Sequence, residues 1–145
     1  MFGSIALLSS SGCKPVDDIN NANVIQDASG IKVELTYSNS AADPTAKTDL
    51  DLIIKDANGK TVFDDFGYGF DEIEILPNAL NDGTYNIFVY VSEIDRSTNY
   101  IVQITGLSSG KTYSESFGPI NANDAYSTLS PQTITVTGNK FKLGF

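Results

Sequence analysis

The sequence predicts an all-β protein built as an antiparallel sandwich of two sheets. From Ile31 onward, apolar and polar residues alternate with period 2 in run after run. That spacing sets one face of a strand in a core and the other in solvent. The runs are short and separated by Gly, Asn, Asp and Pro, and no helical period is sustained between them. A sheet with one apolar face must cover it, and a second sheet does so.

IKVELTY opens the domain, with Ile31, Val33, Leu35 and Tyr37 on one side and Lys32, Glu34 and Thr36 on the other. DLDLII (Asp49 to Ile54) runs into Asn58-Gly59, a strong hairpin turn, and Lys60 to Phe63 forms the return strand. EIEIL (Glu72 to Leu76) alternates again. After a turn at Asn81-Asp82-Gly83, TYNIFVYV places Tyr85, Ile87, Val89 and Val91 toward the core. NYIVQIT (Asn99 to Thr105) repeats the pattern, and the more polar KTYSESF (Lys111 to Phe117) reads as an edge or outer strand. NANDAY, from Asn121, forms at most a helical turn. TITVT and KFKLGF close the chain around Gly138-Asn139. The total is about nine strands, the pattern of a jelly-roll or immunoglobulin-like sandwich.

The chain has 145 residues, enough for one domain with a substantial core. Its formal charge of −9 opposes binding to phosphate backbones, so no nucleic-acid partner is expected, and it weighs against docking on anionic lipid through a basic patch. Histidine is absent and there is one cysteine, which excludes Ser-His and Cys-His nucleophiles, an internal disulfide and zinc-finger ligation. Carboxylate pairs hydrolyse glycosides without histidine, but a short chain filled by a sandwich core leaves little room for a deep cleft. The expectation is a protein that is not an enzyme.

The lone cysteine, Cys13, follows an apolar run, Phe2 to Leu8, and a small-residue stretch, Ser9 to Gly12. The run is far shorter than the ~20 residues that span a bilayer, but it has the length of a short secretory core. Ser11, Gly12 and Cys13 resemble the cleavage box of a bacterial lipoprotein signal, with Ser10 where an aliphatic residue is usual. Lys14, Asp17 and Asp18 resemble the stretch that follows the cysteine in surface-displayed lipoproteins of the Bacteroidetes. The resemblance implies a signal peptide over 1–12, lipid (diacylglyceryl and an acyl chain such as palmitate) on Cys13, and an outer-membrane location facing the cell exterior. Residues 13–30 then read as a flexible tether and 31–145 as the sandwich, with a strand at Asn23 to Gln26 as the alternative that shortens the tether.

TDLDLIIKDANGKTV and LPNALNDGTYNIFVYV resemble bacterial pre-peptidase C-terminal domains and related sandwiches. Asp49, Leu50, Asp51, Leu52, Asn58, Gly59, Gly83, Thr84 and Tyr85 carry the match, which spans Lys47 to Thr105. The resemblance implies an accessory module; some such domains bind calcium, and some help attach a protein to a polymer.

Two candidate sites follow. Asp49 and Asp51 share the outward face of one strand, about 7 Å apart at Cα. They are read either as solvated acids or as the start of a calcium site completed by Asp43, Asp56, Asp64, Asp65 or Asp71. DDFGYGFDE (Asp64 to Glu72) alternates Phe66, Tyr68 and Phe70 with glycines, as either an aromatic loop for a glycan or a partner protein, or a cap on one end of the sandwich. Tyr68, Tyr90, Tyr100 and Tyr126 are the tyrosines that can offer stacking platforms. The reading is a non-catalytic cell-surface lipoprotein, an accessory binding or structural module within an outer-membrane protein complex. A small carbohydrate-binding lipoprotein is the alternative.

Overall fold

The computed structural model describes residues 23–37, 47–67 and 71–144. Among the described residues ten strands form, rather than the nine expected, in chain order: β1 (Val24–Gln26), β2 (Ile31–Tyr37), β3 (Asp49–Lys55), β4 (Thr61–Asp65), β5 (Asp71–Ile75), β6 (Gly83–Glu93), β7 (Thr98–Gly106), β8 (Thr112–Ile120), β9 (Thr128–Thr137) and β10 (Lys140–Gly144). They make a six-stranded sheet, β1-β10-β9-β6-β3-β4, facing a four-stranded sheet, β5-β2-β7-β8. Every pairing is antiparallel. Among the described residues, no helix is long and apolar enough to cross a membrane.

The alternation decides which residues meet between the sheets. Ile31, Val33 and Leu35 of β2, Leu50, Leu52 and Ile54 of β3, and Ile87, Val89 and Val91 of β6 are all fully buried. β-branched and aromatic side chains fit this pleated, half-buried surface, and each buried aliphatic contributes about 1.5–3 kcal/mol. The turns at Asn58-Gly59 and Gly138-Asn139 join β3 to β4 and β9 to β10. β8 is the outer strand of the four-stranded sheet, and Asn121 caps a single 3₁₀ turn over Ala122–Asp124.

β1 corrects the expected domain boundary at Ile31. Val24–Gln26 pairs with β10, and Ile25 is fully buried, so the sandwich includes residues seven positions before Ile31, where the alternative reading placed a strand. A three-residue strand with one inward side chain gives no period to read.

Six of the nine connections pass from one sheet to the other. At each crossing the chain leaves its ladder, and main-chain N–H groups lose their carbonyl partners. The crossing from β1 to β2 is held by Asp27, a buried carboxylate that accepts from Ser29 N (2.8 Å), Ser108 N (2.9 Å), Ser108 Oγ (2.7 Å) and Ser109 N (2.7 Å). It thereby fastens the first crossing to the β7–β8 hairpin. Gly106 leaves the space this needs, since a Cβ there would lie 2.2 Å from Ser109 Oγ and 2.6 Å from Asp27 Oδ2. Burial pushes the Asp27 pKa up, but the hydrogen bonds from Ser109, Ser108 and Ser29 outweigh it and hold the carboxyl well below its ordinary range.

Replacing Asp27 with Ala leaves three N–H donors without their acceptor in a half-dry corner. The expected loss is about 3 kcal/mol, seen as a fall in Tm of roughly 10 °C. Ser108→Ala removes one hydroxyl donor and is expected to cost about 1 kcal/mol. Equal losses in the two variants, measured by thermal unfolding at neutral pH, would contradict this account.

Candidate functional site

The acids highlighted by the sequence divide between the two ends of the sandwich. Asp56 sits in the β3–β4 turn, where its Oδ1 accepts from Asn58 N and Lys60 N, both at 2.9 Å. It lies a full strand, about 20 Å, from Asp49. Asp64 is exposed on the outward face of β4, opposite Ile53. Asp49, Asp51, Asp65 and Asp71 gather where β3 begins, β4 ends and β5 begins. Among the described residues, no group of three or more His, Cys, Asp or Glu is arranged to hold a metal ion. Cys13, Asp43, Tyr68 and Phe70 lie outside the described residues.

Within this corner the carboxylates act as substitutes for strand partners. Asp65 Oδ2 accepts from Glu72 N at 3.0 Å, and Asp71 Oδ2 accepts from Leu52 N at 2.7 Å. β4 and β5 belong to different sheets, so these two bonds stitch the sandwich together along one edge. Asp71 is fully buried, and among the described residues its Oδ1 meets no hydrogen-bond donor; Asp49 Oδ1 is in the same position. Asp51 is buried as well, with Ser92 Oγ donating to its Oδ2 and Tyr90 directly across the ladder. Alternation set Asp51 correctly on the outward face, but neighbours cover it, so the picture of two freely solvated acids does not hold.

Electrostatics follow from this crowding. Burial raises the Asp71 pKa to about 7; the hydrogen bond from Leu52 opposes the rise, and the charges of Asp65, Asp51 and Asp49 add to it. Burial also raises Asp49, reinforced by Asp51 and Glu93. Burial raises Asp51 too, with the Ser92 hydrogen bond opposing and Asp65 adding.

The same end of the molecule carries the two most exposed aromatic rings among the described residues. Phe66, just after β4, is 59% exposed, and Tyr126, just before β9, is 76% exposed. Tyr126 is held in a left-handed backbone conformation (φ 64°). Its N–H donates to Val91 O at 2.7 Å, Val91 N donates to Ser127 O at 3.0 Å, and Ser127 N donates to Asp124 O of the capped turn at 3.0 Å. The two rings stand at β9 and β4, three strand spacings or about 14 Å apart across the sheet. Tyr90 is half-buried, and Tyr100 is buried and stacked on Phe117 at 5.3 Å, so neither is a free platform. Comparison with protein-family models, curated proteins and solved structures found no match.

The corner makes stability depend on pH. Unfolded, Asp71 titrates near its ordinary value of about 3.9, while the native state keeps the proton to about 7. Between those values the native state binds the extra proton, so stability falls as pH rises and levels off above about pH 7. Asp71→Asn keeps an acceptor for Leu52 N–H without the charge. It should flatten this slope and add roughly 1–3 kcal/mol at pH 8 in urea unfolding. A variant less stable than the parent at pH 8 would refute this role.

Proposed function

We propose that this protein is a non-catalytic surface lipoprotein, anchored through Cys13, whose sandwich is an accessory binding module. The observation that carries the binding reading is Tyr126. A bulky residue in the left-handed region costs about 1 kcal/mol or more, and such conformations cluster where function requires them. Here the conformation is fixed by main-chain hydrogen bonds and presents an aromatic ring to solvent, beside a rim that also exposes Phe66. Large amphipathic rings on rigid turns are efficient anchors for a protein surface or a sugar face.

The resemblance of Lys47 to Thr105 to accessory bacterial sandwiches agrees with this reading, as does the use of Asp65 and Asp71 as main-chain acceptors rather than as an acid–base pair. A protein partner in an outer-membrane complex is favoured over a glycan, because the two exposed rings stand apart at loops rather than together on one sheet face.

Three measurements test the proposal. Intact mass of the protein from its native membrane should show a chain beginning at Cys13 with a diacylglyceryl thioether and an amide-linked acyl chain; an unmodified chain beginning at Met1 would refute the anchor. Photocrosslinking from position 126 in native outer membrane should yield one dominant protein adduct. A Phe66→Ala, Tyr126→Ala double variant should reduce affinity for that partner at least tenfold, while Tm shifts by only a few degrees. Unchanged affinity would remove the rim from the interface, and specific retention on a glycan array with no protein adduct would favour the carbohydrate reading.

A further inference from the structure

We propose that the edge formed by β1 and β10 is the surface this protein turns toward anionic lipid headgroups, so that the acidic end with its exposed aromatics points away from the membrane. The inference rests on the lipoprotein reading for the tether and on the charge layout for its direction.

Lys140 and Lys142 alternate with Phe141 and Leu143 along β10. Because Phe141 and Leu143 are buried between the sheets, both lysines are driven onto the outer face. β1 lies beside them, with Gln26 opposite Lys140 and Val24 opposite Lys142. Lys111, just before β8, reaches across from the other sheet. Its ammonium donates to Val24 O at 2.8 Å and lies 5.1 Å from the centre of the Tyr113 ring. Among the described residues, no carboxylate lines the shallow depressions between these lysines, whose other walls include Val24, Gln26, Thr135 and Thr137. Asp27 is close in sequence, but it is buried and its oxygens are taken by Ser29, Ser108 and Ser109. Asp82 holds Gly138 N at the adjacent turn.

Asp49, Asp51, Asp65, Asp71 and Glu93 occupy the diagonally opposite corner. In the sheet order β10 and β3 are three strands apart, about 14 Å. The lysines lie toward the end where β6 starts, and the acids lie where it finishes, eleven residues or about 35 Å along the strand. An anionic surface attracts one corner and repels the other. Three lysines near such a surface favour the lysine-down orientation by on the order of a hundredfold.

The net charge of −9 still prevents free docking, as composition suggested, and the tether is what supplies proximity. Nine residues lie between Cys13 and Asn23, a reach of at most about 35 Å over ten Cα steps, and β1 begins at the next residue. The strand that the tether enters is therefore the strand that borders the lysines.

The sole cysteine makes the test direct. The full chain is coupled through Cys13 to maleimide-bearing lipid in vesicles of phosphatidylcholine alone or of phosphatidylcholine with phosphatidylglycerol, and lysine acetylation is followed by mass spectrometry. Lys111, Lys140 and Lys142 should acetylate several-fold more slowly on the anionic vesicles, Lys47 at the acidic end should not change, and about 0.5 M salt should abolish the difference. Equal rates on both vesicles, or equal protection of Lys47, would overturn the proposal. Because the coupling is chemical, this outcome does not depend on whether the cell lipidates Cys13, which the intact mass decides separately.

Discussion

Where the described chain changes sheet, main-chain N–H groups leave their ladder, and side-chain oxygens of Asp and Asn take up several of them. Asp27 serves the crossing from β1 to β2 and Asp65 and Asp71 that from β4 to β5, while Asp82, in the β5–β6 connection, holds Gly138 N of the β9–β10 turn. Asn121 and Asp124 serve the crossing from β8 to β9. A carboxylate suits this task because it only accepts and has two oxygens, so it can gather donors that no single carbonyl can reach. The acidity that first suggested cation ligands is therefore in good part structural. Without these acceptors, the two sheets would still have apolar faces to pair, but little to fix how the corners close.

The same task leads to opposite proton affinities. Asp27 faces N–H and O–H donors on most sides, and the charged form is favoured despite burial. Asp71 has one N–H donor and three carboxylate neighbours, and the neutral form persists to about pH 7. Asp71 has fewer donors, closer carboxylates and a heavier burial effect, and all three favour its neutral form. It follows that acidification acts against the β1–β2 corner and in favour of the β4–β5 corner, so the two ends of the sandwich respond to pH in opposite directions.

How much of this was legible depends on range. Alternation is a local signal, and it gave the inward faces of β2, β3 and β6 residue by residue, because a strand buried on one side has no other way to sort its side chains. Asn58-Gly59 and Gly138-Asn139 marked their hairpins for the same local reason. β1 was legible only as the alternative strand at Asn23 to Gln26, because its single inward residue, Ile25, has no period around it. The burial of Asp51 and Asp71 was hidden because it depends on Ser92 and Leu52, forty-one and nineteen residues away respectively. A sequence shows that DLD has two acids on one face, but not what the other sheet brings against them.

Tyr126 couples a local backbone conformation to a distant strand. Its left-handed backbone is held because Val91 O accepts its N–H just before the chain re-enters the six-stranded sheet. A glycine at that position would relieve the strain and still make the turn, so turn geometry alone gives no reason for an aromatic ring there. The ring is exposed, and the apolar core does not hold it in place. What remains is its position, exposed at the end of the sandwich that also carries Phe66. A residue that costs stability and adds nothing to the core is the observation on which the proposed contact surface rests.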